Sequence, residues 1–328
     1  MDAEMKREIL DEARRIVVKV SSFLIVEPPS MERIIEFAHD ISSLVNEEER
    51  EVLLTSSGAI ACGRMRSALP GDQEDLVNKQ AYAAKGQGHL MRLYEKEFER
   101  YGLDVAQLLL TRDSIDMNVM FENRYFHEHP HVKDYLISLA ESYHPTAPLS
   151  SEYIKGIMSD APNFVEYFTQ QYNHFLKGRY NLINTANRLL QKESRTVPIA
   201  NENDTIATEE ITFGDNDPLA AHLACALEAD LVVNLTKVDG IYNPCAEQGN
   251  GPERYIRADD IGSLAASCST EATQQGRGGI RSKIVSAGIA TSCGIPVLIA
   301  NGTKKNAISS IFEGYHGGTL IYPEYMER

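Results

Sequence analysis

Seven short runs of aliphatic and β-branched residues punctuate the chain: RIVVKV at 15–20, EVLLTS at 51–56, VAQLLL at 105–110, TVPIA at 196–200, DLVVNL at 230–235, IPVLIA at 295–300 and TLIY at 319–322. Most are nearly continuous in apolar character, as in strands covered by helices on both faces. Between them the apolar positions change to helical spacing, at 31–45, near 74–100, at 179–192, at 217–229 and at 280–293. Gly294 follows the last of these and stops it. Strand and helix in alternation predict an α/β fold, a three-layer αβα sandwich around an open, mainly parallel sheet.

One segment breaks the rhythm. Residues 115–178 hold 11 of the 25 Phe and Tyr residues and five of the nine His, with Pro130, Pro145, Pro148 and Pro162 interrupting any long helix. This reads as an excursion between a strand ending at Leu110 and a helix starting near Arg179. His127, His129 and His131 crowd together there, but Pro130 and the lack of a metal-ligand spacing favour a surface loop, so no metal site is expected.

At 328 residues, 43% hydrophobic and 24% charged, the chain can bury a substantial core. Length alone suggests two domains. Setting the excursion aside leaves the length of one α/β domain, so the expectation is a single domain over 1–328 with an insertion at about 115–178. A formal charge of −15 argues against a nucleic-acid partner, which would need a basic footprint. No window approaches the length of an apolar membrane span, and the N-terminus lacks a secretory core, so a soluble, cytoplasmic protein without a membrane partner is expected. Cys62, Cys225, Cys245, Cys268 and Cys293 show no metal spacing or disulfide framework and are expected to be reduced.

In an open α/β sheet, ligands bind beyond the carboxyl ends of the strands. The residues there are Lys19, Ser21 and Ser22; Ser56, Ser57, Gly58 and Ala59; Asn201, Glu202, Asn203 and Asp204; and Thr236, Lys237, Val238, Asp239 and Gly240. Gly214-Asp215-Asn216-Asp217 precedes one helix, and Gly276-Arg277-Gly278-Gly279 opens another that carries Lys283. Glycines ahead of a helix bring backbone N–H groups and the positive end of its dipole to an anion, and a lysine adds a charge-assisted contact. Taken singly, each motif is more simply a turn or a capped helix start, with Asp217 as the N-cap. Neither Walker A nor GxGxxG spacing is present.

Together, in the order KVSS, SSGAIACG, TVPIANENDTI, FGDND, LTKVDGIY, GRGGIRSK and GIPVLIANG, these motifs resemble the glutamate 5-kinase branch of the amino acid kinase family. GRGG and the run AYAAKGQGHLMRLY at 81–94 are similar to the kinase half of the bifunctional pyrroline-carboxylate synthases. The resemblance covers about 15–110 and 179–322. It implies transfer of the γ-phosphoryl of MgATP to the γ-carboxylate of L-glutamate, the start of proline synthesis, with proline as a feedback inhibitor and a homo-oligomer, dimer or tetramer. It assigns Lys19, Asp217 and Lys283 to catalysis, and Ser57, Gly58, Asp204, Asp215 and Asn216 to glutamate. Thr236, Lys237, Arg277, Gly278 and Gly279 would face ATP along with Lys19 and Lys283. A kinase-fold enzyme for another small carboxylate, or a catalytically weak regulatory homologue, are the alternatives.

Three features depart from the family pattern: Ser21 replaces a glycine, Lys237 stands where Asp is usual, and the excursion is long. The chain ends soon after TLIY, so no C-terminal RNA-binding-like module is expected.

Overall fold

The computed structural model describes residues 2–26, 30–66, 68–72, 74–116, 121, 126, 128–141, 150–158, 162–206, 216–242, 255–262, 280–314 and 317–323. These divide into two compact units, residues 1–109 with 188–328, and residues 110–187.

The first unit is built on one eight-stranded sheet. Its strands are β1 (Arg15–Val20), β2 (Glu51–Ser56), β3 (Asp104–Leu110), β4 (Thr196–Glu202), β5 (Leu231–Thr236), β6 (Tyr255–Arg257), β7 (Val297–Asn301) and β8 (Thr319–Tyr322), in the order β3-β4-β2-β1-β5-β7-β8-β6. β1 pairs in parallel with both β2 and β5, β2 with β4, β5 with β7 and β6 with β8, whereas β8 runs antiparallel to β7. The seven apolar runs are all strands. Of the described strands only β6 escaped the sequence reading, because three residues are too few to show a period.

The central strands are buried almost throughout, as continuous apolar runs require. VAQLLL differs, since β3 lies at the sheet edge and Leu109 is exposed. Ile16, Val18, Leu54, Val233 and Leu298 from the sheet meet Phe37 and Ile41 from a helix over Ser30–Asn46 in the main core.

The helices are α1 (Asp2–Glu12), α2 (Ser22–Val26), α3 (Ser30–Asn46), α4 (Ala59–Arg66), α5 (Leu76–Glu99), α6 (Arg112–Ile115), α7 (Pro130–Glu141), α8 (Ser151–Ile157), α9 (Pro162–Leu190), α10 (Asn216–Ala226), α11 (Ile280–Ser292) and α12 (Ser309–Phe312). α4 and α5 pack backbone against backbone: a Cβ on Gly86 would lie 1.7 Å from the Ala59 carbonyl oxygen, and one on Gly63 2.0 Å from that of Tyr82. Only glycine permits that approach. Gly294, at φ +82°, ends α11, and Ile295 N donates to the Ala290 carbonyl.

The second unit has its own aromatic core, including Phe121, Phe126, Phe168 and Tyr172. It is wider than the 115–178 expected from composition, because α9 starts at Pro162 and not near Arg179. Proline is tolerated in a first helical turn, and Val165, Phe168, Tyr172 and Phe175 then fall on one buried stripe.

One expectation is overturned. Cys225, in the last turn of α10, and Cys293, directly after α11, form a disulfide with Cα atoms 5.7 Å apart. They lie 68 residues apart in sequence, so their meeting depends on the packing of two helices. Cys62 is a buried free thiol whose pKa burial pushes up, while Cys245 and Cys268 lie outside the described residues.

Candidate active site

Lys19 is the penultimate residue of β1, where the alternation of the strand turns its side chain toward the head of α10. Asp217 lies in the first turn of α10 and Lys283 in the first turn of α11. The three meet: Lys19 Nζ pairs with Asp217 Oδ1, and Lys283 Nζ donates to Asp217 Oδ2 at 2.7 Å. All are almost fully buried, at 2%, 1% and 5% exposure.

Burial alone would raise the Asp217 pKa, but the charges and hydrogen bonds of the two lysines outweigh it and hold the carboxyl well below its usual range. One carboxylate between two ammonium groups leaves a net positive charge in a dry setting, suited to an anion with spreading charge. Asp217 therefore does more than cap a helix, since both its oxygens face lysines.

A second network lies beside the first. Asn216 Nδ2 donates to Ser57 Oγ at 3.0 Å and to Asn201 Oδ1 at 2.7 Å, while Asn201 Nδ2 donates to Gln87 Oε1 at 2.7 Å. Gly58, at φ +114°, turns the chain from β2 into α4, which glycine accommodates without strain. The network borders a cavity of about 310 Å³ lined by Ala59, Gln87, Gln107, Glu202, Asn203 and Asp204, among others. Burial pushes the Asp204 pKa up to about 6. Gln87 Nε2 is buried with no hydrogen-bond partner among the described residues.

Thr236 ends β5 and is buried, and its carbonyl accepts from Gly302 N at 2.8 Å. Lys237 is exposed, with its ammonium 4.9 Å from the Phe23 ring centre. Asp215, Arg277, Gly278 and Gly279 lie outside the described residues, as does His127. The structure thus gathers Lys19, Asp217 and Lys283 into one cluster, and Ser57, Asn216 and the cavity carrying Asp204 into its surroundings.

Sequence reasoning did not assign Gln87, Asn201 or Asn234. A signal existed for Asn234, an amide inside the apolar run LVVNLT. Gln87 lies inside the run AYAAKGQGHLMRLY, but nothing in that run singles it out, and α5 brings it in through the glycine contacts with α4.

Lysines and helix starts gathered at the carboxyl ends of a mainly parallel sheet make an α/β site suited to anionic groups. The chain belongs to the amino acid kinase family, whose model matches residues 14–301. It is 34% identical to a glutamate 5-kinase of Carboxydothermus hydrogenoformans, over 97% of this chain and 70% of that one. It is 31% identical to the glutamate 5-kinase of Clostridium tetani, over 96% of both. Among solved structures it resembles carbamate kinase from Giardia lamblia bound to AMP-PNP, with a TM-score of 0.55, 13% identity, and coverage of 96% of this chain and 100% of that one. It also resembles N-acetylglutamate synthase from Neisseria gonorrhoeae, with a TM-score of 0.53, 14% identity, and coverage of 98% and 63% respectively. At those identities the structural likeness concerns the fold.

Proposed function

We propose that this chain phosphorylates the γ-carboxylate of L-glutamate with ATP, giving L-glutamyl 5-phosphate at the start of proline synthesis. The observation that carries the reading is the buried Lys19–Asp217–Lys283 cluster beside an acidic cavity that holds Asp204. Similarity to curated glutamate 5-kinases over nearly the whole chain supports the choice of acceptor.

The chemistry fits these groups. A glutamate side chain with an ordinary pKa near 4.3 is already a carboxylate at neutral pH, so no general base is needed to activate it. The barrier is the meeting of two anions and the charge of a loose, in-line transition state. Lys19 and Lys283, oriented by Asp217, supply fixed positive charge to the transferring phosphoryl group.

Asp204, ionised above about pH 6, pairs with the substrate α-ammonium as it leaves water. Ser57 and Asn216 present hydroxyl and amide groups to the substrate, and Gln87 Nε2 offers a spare donor at the cavity wall. Thr236 and Lys237 border the nucleotide.

Magnesium accompanies ATP in such reactions and neutralises phosphate charge. Both oxygens of Asp217 face ammonium groups, and no cluster of three or more His, Cys, Asp or Glu occurs among the described residues. The described side chains therefore do not fit a protein-built magnesium cage.

The test is glutamate-dependent release of ADP with hydroxylamine present to trap the acyl phosphate as hydroxamate. Turnover with another small carboxylate, and none with glutamate, would overturn the choice of acceptor. Proline inhibition, self-association and a cytoplasmic location complete the proposal. Proline in the same assay, sedimentation and cell fractionation check them in turn. No helix among the described residues is long and apolar enough to cross a membrane.

A further inference from the structure

β5 is buried at every position, and such a strand is most cheaply filled with Val, Ile and Leu. Its sequence is LVVNLT, with the amide of Asn234 at the centre and 3% exposed. Asn234 Nδ2 donates to Asp217 Oδ1 at 3.0 Å, the oxygen that also pairs with Lys19. Strand register places Asn234 directly beside Lys19. The amide orientation follows from chemistry: an ionised carboxylate only accepts, so the nitrogen must face it.

The other half of the amide is unmatched. Asn234 Oδ1 is buried with no hydrogen-bond partner among the described residues. A half-satisfied buried amide costs stability that leucine of similar size would not. Packing therefore gives no reason for this residue, whereas its N–H contact with Asp217 does.

We propose that Asn234 is a positioning residue for phosphoryl transfer, fixing the Asp217 carboxylate between Lys19 and Lys283. Lys19 and Lys283 reach the carboxylate on flexible four-carbon stems, so two ammonium groups alone let it shift as those stems move. A third donor, rooted in the rigid centre of the sheet, removes that freedom. The lysines are then held for the transition state before ATP arrives, in the manner of electrostatic preorganisation. Asn234 touches neither substrate in this scheme and acts through Asp217.

The inference rests on the kinase reading, and the experiment separates the two. Full-length wild type, Asn234→Leu, Asn234→Asp and Asn234→Thr are compared for kcat, both KM values, thermal midpoint and MgATP affinity by calorimetry. Asn234→Leu is expected to lower kcat about tenfold and to weaken MgATP binding at least threefold. Its KM for glutamate should stay within about twofold, and its thermal midpoint should be equal or higher. Asn234→Asp, which cannot donate in its ionised form and sets a second negative charge against Asp217, is expected to lose more. Asn234→Thr, which keeps a donor on a β-branched side chain, is expected to recover part of the loss.

A purely structural role would show the opposite split, a lowered midpoint with unchanged kcat. That result, or wild-type kcat and MgATP affinity in Asn234→Leu, overturns the inference. If wild type shows no turnover with glutamate but Asn234→Leu still weakens MgATP binding, the acceptor assignment fails and the role of Asn234 stands.

Discussion

At the residue scale the site is governed by charges taken out of water. Lys283 is buried against Asp217, and the proposed mechanism sets its ammonium beside the transferring phosphoryl group. Lys283→Ala is expected to reduce kcat about 100-fold or more by loss of transition-state stabilisation, measured in steady-state assays. A near-wild-type kcat would remove Lys283 from the mechanism. Asp204 behaves in the reverse sense, because burial raises its pKa to about 6. Its charged form carries a cost of burial above that pH, which the substrate ammonium offsets on binding. The KM for glutamate is therefore expected to rise as pH falls through about 6, with Asp204→Asn raised at all pH values. An ATP KM that moved instead would mean that the two subsites are reversed.

At the element scale α10 and α11 act as a pair. The salt bridge of Lys283 to Asp217 joins their first turns, and the Cys225–Cys293 disulfide joins their ends. Closing a 68-residue segment is worth about 4 kcal/mol in the chain-entropy account, so Cys293→Ser is expected to lower unfolding free energy by about 2–4 kcal/mol. Urea denaturation with and without a reductant checks this. Coincident wild-type midpoints would show that the bond is not formed. Strand positions were legible at this scale because unbroken apolar runs have one economical use in a parallel sheet. The start of α9 was not, since Pro162 reads as a break until its place in a first helical turn is known.

At the scale of the whole molecule, length and composition indicated an excursion, but only packing shows that residues 110–187 form a unit with a core of their own. Phe168 contacts Phe121, Phe126 and Tyr172 within that core. Phe168→Ala is expected to cost about 3–5 kcal/mol of local stability through lost burial and a cavity. Circular dichroism should then show an earlier thermal transition, while MgATP binding by residues of the first unit is retained. Loss of both together would show that the units unfold as one.

The sequence by itself determined the α/β class, seven of the eight described strands, and the residues that lie just past them, because apolar period and strand-end chemistry are local properties. It named Lys19, Asp217 and Lys283 through motifs spread over more than 260 residues. Tertiary structure decided that the two lysines share the buried carboxylate of Asp217, that Cys225 meets Cys293, and that Asn234 and Gln87 stand at the site. Those facts depend on which strand lies beside which and how closely helices approach. Such distances are set by the packed sheet as a whole, and no local pattern encodes them.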